Sequence, residues 1–169
     1  MLLILNILMI VLLGWVVFSD FTRLSIPLVV LLGLIIVSAF RAYISLTADE
    51  LISFSLINMT GTTILVLFSF LVLMALKRNF TNPLNRLIGA GDLVFFPVIC
   101  FSMSPINFLF FLVLSFLLAI IISAFLSKKL NGSPLAGIQS ALLIAFLMMG
   151  WLTAFDTYSD KFLINLIVN

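Results

Sequence analysis

The sequence contains no histidine and one cysteine, Cys100. An intramolecular disulfide therefore cannot form, and a His- or Cys-ligated metal site is not expected. Charge is also scarce. Eight basic and six acidic residues make up 8% of the 169 positions, with a formal net charge of +2. With 64% hydrophobic residues, this composition excludes a soluble globular protein, and nothing in it suggests a nucleic-acid surface. Residues 1–19 hold no lysine or arginine, so the basic start of a signal peptide is missing and a retained first span is expected.

What the chain has in abundance is long apolar runs. A bilayer core about 30 Å thick takes about 20 apolar residues per helix, and open-edged backbone cannot face lipid. The expectation is an all-α, polytopic membrane protein with six transmembrane helices, residues 1–169 forming one integral-membrane domain. The first span reads as Leu2–Phe18, followed by a polar turn from Asp20 to Ser25. Pro27 suits the first turn of a second span, Ile26–Ser45, with Arg41 close enough to its end to snorkel outward. Thr47-Ala48-Asp49-Glu50 reads as a capping box opening a third helix, Leu51–Leu76, whose packing face is marked by Asn58, Thr60, Gly61, Thr62 and Thr63.

Residues 93–127 carry no charge and as one helix would reach about 50 Å, too far for a single crossing. The break is expected at Ser102-Met103-Ser104-Pro105, giving a fifth span, Ile106–Leu126. Leu93–Met103 alone would reach only about 16 Å. Either this fourth helix starts upstream and carries Gly89–Asp92 into the membrane, or the bilayer is thinned there. A sixth span, Pro134–Phe155, and an interfacial or bundle-packed tail complete the reading. Cys100 lies inside an apolar run and reads as a small buried hydrophobe.

Six spans put both termini on one side. Arg23, Lys77, Arg78, Arg86, Lys128 and Lys129 then share the other face, leaving Arg41 and Lys161 with the termini. Positive residues favour the cytoplasm, so the termini are expected outside. Asp49, Glu50, Asp156 and Asp160 also fall outside. Asp20 and Asp92 alone among the acids lie at the cytoplasmic boundary.

Asp92 follows Gly89-Ala90-Gly91 at the lip of an apolar stretch. It can N-cap the next helix, or it can be functional, since intramembrane acids are costly to retain. No other catalytic side chain at that boundary has workable spacing. A carboxylate pair can hydrolyse an amide without a cofactor, one taking a proton from water while the other donates to the carbonyl oxygen or leaving nitrogen. Asp20 follows a helix C-terminus and Asp92 opens a helix, so on dipole grounds Asp20 is the better acid and Asp92 the better base. Arg23 near Asp20 works against this, and coupled carboxylates titrate as a pair, which leaves the roles open. A transport or channel subunit with an acidic ion or proton site is the alternative class.

Two motifs resemble the type IV prepilin peptidase family of membrane aspartic proteases and its preflagellin peptidase relatives. Asp20-Phe21-Thr22-Arg23-Leu24-Ser25-Ile26-Pro27 is similar to the family's first-aspartate segment, and Gly89-Ala90-Gly91-Asp92 to its GxGD motif. The resemblance implies catalytic Asp20 and Asp92, with Gly89, Gly91, Arg23 and Pro27 as motif support and no cofactor or metal. It implies a multi-pass protein of a bacterial or archaeal cytoplasmic membrane, its site facing the cytoplasm, that cuts the leader peptide from a prepilin or pseudopilin. Leu28 and Val94 depart from the family's usual Asn and frequent Lys. The paired-cysteine methyltransferase domain of larger members is expected to be absent, giving a minimal form like those serving Flp (tight-adherence) pili. A non-catalytic assembly factor is a further alternative.

Overall fold

Apolar runs punctuated by proline, serine and charge fold into α-helices in the computed structural model, six of them among the described residues. The structure describes residues 1–23, 25–76, 90–126, 135–153, 155–161 and 164–165, leaving aside the side chains of 69–70, 72–76, 90–92 and 123–126. The helices are α1 (Leu2–Arg23), α2 (Leu28–Ser45), α3 (Ala48–Leu76), α4 (Ala90–Ser102), α5 (Pro105–Leu126) and α6 (Leu135–Leu152). The described residues contain no strand.

Local chemistry sets most of the boundaries. Thr47 and Glu50 close the expected capping box. The Thr47 N–H donates to Glu50 Oε2 at 3.0 Å, and the Glu50 N–H reaches back to Thr47 Oγ1 at 3.4 Å. Pro27 stands just before α2 in extended conformation (φ −62°, ψ 127°), one position ahead of the helical turn assigned to it from sequence. The break after Ser102 falls where expected, α5 opening at Pro105.

The first helix differs from its expectation by running through Asp20 to Arg23. Polar side chains there satisfy themselves within the helix: Ser19 Oγ donates to Val16 O and Thr22 Oγ1 to Phe18 O. A polar stretch is thus no barrier to continuing the turn.

Among the described residues, five of these six helices are long and apolar enough to cross a membrane. The exception is α4, whose 13 residues reach about 20 Å. The expected sixth crossing is therefore not met by length, although α4 does start upstream of Leu93 and takes Asp92 into its first turn. Trp15, Phe18, Val29, Ile36, Phe68 and Ile120 are all more than half exposed, an outer surface suited to lipid and unsuited to water. The chain is a multi-pass membrane protein.

Inside, α1 packs on α2 and α6, while α4 packs on α2, α3 and α6. The core joins Met9, Leu13 and Val16 of α1 with Leu31 and Leu34 of α2, Phe95, Val98 and Ile99 of α4, and Leu143 of α6. Phe146 sets its ring edge-on to Phe111 and Phe155, with centroids 5.6 and 5.5 Å away. Among the described side chains of α3, only Asn58 and Thr62 are buried; Thr60, Gly61 and Thr63, expected on the same face, are exposed. An i, i+4 pair faces one neighbour, and the residues between them turn away. Asn58 Nδ2 donates to the carbonyls of Cys100 (3.0 Å) and Met103 (2.9 Å), supplying donors where α4 runs out of its own. Cys100 is buried, as expected from its apolar surroundings.

Candidate functional site

Asp20 sits in the last turn of α1, only 6% exposed, on the side that α6 covers. Its Oδ2 accepts the Gly137 N–H at 2.7 Å, from the first turn of α6. Early helical N–H groups have no partner in their own helix, and the N-terminal end of a helix favours negative charge. Glycine is required for this approach. A Cβ at position 137 would lie 3.0 Å from Phe21 Cδ2 and Cε2, and 3.1 Å from Asp20 Oδ2. The carboxylate is thus clamped between the end of one helix and the start of another.

That clamp corrects the dipole argument for acid and base. Asp20 lies inside the closing turn of α1 and also receives the favourable end of α6. The contrast with Asp92, which opens α4, therefore no longer separates their roles.

Among the other expected site residues, Gly91 and Asp92 belong to the first turn of α4, with their side chains outside the described residues. Gly89, Lys77, Arg78, Arg86, Lys128 and Lys129 also lie outside the described residues. Arg23 is exposed at the end of α1, and Pro27 precedes α2.

The two aspartates can be ranked along the bundle through Arg41, which bonds both Asn6 of α1 and Ser102 of α4. From that shared level, Asp20 is about 21 Å further along α1 and Asp92 about 15 Å back along α4, at 1.5 Å per residue. Because α4 packs along α2, whose other end meets the end of α1, both backbone positions lie towards the same end of the molecule. Pro97, inside α4, has no N–H to give the Leu93 carbonyl, which frees a backbone acceptor one residue from Asp92.

No protein-family model matches this chain, and no curated protein or solved structure does so either. The functional reading therefore rests on motif and geometry.

Two residues near the clamp were not anticipated. Gln139, the chain's single glutamine, and Ser140 are fully buried two and three residues beyond Gly137. Gln139 Nε2 and Oε1 and Ser140 Oγ make no hydrogen bond in the structure. Leaving such a group unpaired costs about 1–3 kcal/mol. A lone glutamine in an apolar helix was the signal available in the sequence. No cluster of three or more His, Cys, Asp or Glu that could hold a metal is found among the described residues.

Arg41 also departs from expectation. Placed to snorkel, it is instead 6% exposed, tied to Asn6 Oδ1 (2.7 Å), Ser102 O (3.4 Å) and Thr157 Oγ1 (2.9 Å). The ring of Tyr158 lies 4.7 Å from the guanidinium carbon. The segment after α6 thus folds back onto the bundle, where Asn107 Nδ2 also donates to the Thr157 carbonyl at 3.0 Å.

Proposed function

We propose that this chain is an intramembrane aspartic endopeptidase of the prepilin-peptidase type, using Asp20, Asp92 and a water. The observation that carries the reading is the enclosure of Asp20 against the Gly137 N–H at the start of α6. A carboxylate in that position is costly unless it is used or fully paired. One partner N–H leaves most of its acceptor capacity free. The sequence supplies one other acid towards that end, Asp92, behind a Gly-Ala-Gly approach.

In this mechanism one carboxylate takes a proton from water as the oxygen attacks the scissile carbonyl. The other, protonated, donates first to the carbonyl oxygen. Collapse of the tetrahedral intermediate breaks the C–N bond: the departing nitrogen collects the proton held by the base, and one hydroxyl of the intermediate returns its proton to the donor carboxylate as the product carboxyl forms. Two close carboxylates supply both protonation states, because mutual repulsion leaves one of them neutral. The substrate is a prepilin or pseudopilin whose basic leader is cut at the cytoplasmic face, with both termini on the outer side as the lysine and arginine distribution favours.

The test is co-expression with a candidate prepilin, read as a mobility shift on a gel. Asp20→Asn and Asp92→Asn are each expected to abolish the shift. Processing retained in both variants would reject the proposal.

A further inference from the structure

The end of the bundle away from Asp20 contains a second polar centre that the peptidase chemistry does not use. A cavity of about 680 Å³ opens there between the starting turns of α1, the last turns of α2 and α6, and the segment after α6. Arg41 lines it. Of the five N–H bonds on its guanidinium, three are directed at Asn6, Ser102 and Thr157, all uncharged acceptors. No carboxylate lies within ion-pairing distance of Arg41 among the described residues, and Tyr158, whose ring lies 4.7 Å away and whose phenol the guanidinium also reaches, is uncharged. A cation this deeply enclosed, with no counter-charge among the described residues, is a costly arrangement, and it favours an anion in the cavity beside it.

The cavity also has a negative pole. Asp156 lines it and is exposed. Its Oδ1 accepts the Tyr158 N–H at 3.0 Å, leaving the second oxygen for another donor. The flank is apolar: Leu2, Leu3 and Trp151 line the same cavity while 41%, 63% and 49% exposed, so it opens onto the lipid-facing surface. A buried cation, an exposed carboxylate and an apolar side wall complement a phosphate, an ammonium and an acyl chain.

We propose that this cavity binds a zwitterionic phospholipid carrying a primary ammonium, its phosphate on Arg41 and its ammonium on Asp156. A lipid with a phosphate but no ammonium would meet Asp156 as a repulsive neighbour. Soluble phosphates share the head-group chemistry but have nothing to place against Leu2, Leu3 and Trp151.

The experiment is native mass spectrometry of the full chain in detergent, titrated separately with phosphatidylethanolamine, phosphatidylglycerol, phosphoethanolamine and inorganic phosphate. Phosphatidylethanolamine is expected to bind at least fivefold more tightly than phosphatidylglycerol, with neither soluble compound displacing it. Arg41→Gln should weaken its binding at least tenfold. Asp156→Asn should bring the two lipids within twofold of each other. Because residue 156 is exposed and an asparagine oxygen can still accept the Tyr158 N–H, that variant carries the test if Arg41→Gln does not fold. Equal binding of the two lipids, an unchanged preference in Asp156→Asn, or displacement by either soluble phosphate would overturn the proposal.

Discussion

Replacing Gly137 by alanine perturbs the aspartate clamp with a single methyl group. The new Cβ would stand 3.0 Å from two ring carbons of Phe21 and 3.1 Å from Asp20 Oδ2. Carbon atoms prefer about 3.5–4.0 Å, so ring and carboxylate must retreat by roughly 0.5 Å. Overpacking of this size costs about 1–3 kcal/mol in stability. The same retreat stretches the 2.7 Å bond to Asp20 towards the limit of about 3.2 Å for a good N–H···O contact. A hydrogen bond to a charged group contributes about 1.5–3 kcal/mol, and each 1.4 kcal/mol is about tenfold in rate. Gly137→Ala should therefore slow prepilin processing by about 10- to 100-fold and lower thermal stability in detergent. Adding Phe21→Leu removes ring atoms from the clash and should recover part of the lost stability. A Gly137→Ala protein with unchanged stability and rate would refute the reasoning, as would a double variant whose losses merely add.

Asp20→Asn should abolish processing while leaving the unfolding midpoint nearly unchanged, since its amide oxygen can still accept the Gly137 N–H; calorimetry beside the gel assay checks both halves. Asn58→Leu strips the donors from the Cys100 and Met103 carbonyls and should cost about 2–4 kcal/mol, read from denaturant unfolding in mixed micelles. Burial pushes the Tyr158 phenol up to about 12, against the smaller opposing pull of Arg41 and with a minor push from Asp156. The folded chain thus holds that proton more tightly than the unfolded chain, whose phenol titrates near about 10. Its contribution is intact below about pH 10 and is lost as pH rises through about 12. Tyr158→Phe should flatten the fall in stability between those values, and an identical slope in both proteins would contradict this account.

Features encoded within a few residues were legible in the sequence. The Thr47–Glu50 box, the break before Pro105 and the upstream start of α4 (one of two readings the sequence left open) each depend on neighbours in the chain or on a length that must span a bilayer. Features that depend on distant partners were not legible. Arg41 near a helix end reads as a snorkelling cation because its Thr157 acceptor lies 116 residues away. The partner of Asp20 is a backbone N–H 117 residues on, and a backbone group leaves no trace in residue type. Only the demand for glycine at position 137 hints at it. On α3 a run of hydroxyl and small residues looked like one face, but a helical turn admits only Asn58 and Thr62 to the interior.

The cage around Arg41 imposes an order on biosynthesis. Asn6 and Arg41 leave the ribosome 35 residues apart and can pair as soon as α1 and α2 insert together. The Ser102 carbonyl arrives 61 residues after Arg41, and the Thr157 hydroxyl and Tyr158 ring emerge later still. Until translation passes residue 158, the guanidinium must rely on lipid phosphate or translocon water for what the finished protein provides. The cage therefore closes only when the segment after α6 returns to the start of α1, and a chain stalled before Thr157 would present quality-control proteases with an unsatisfied arginine.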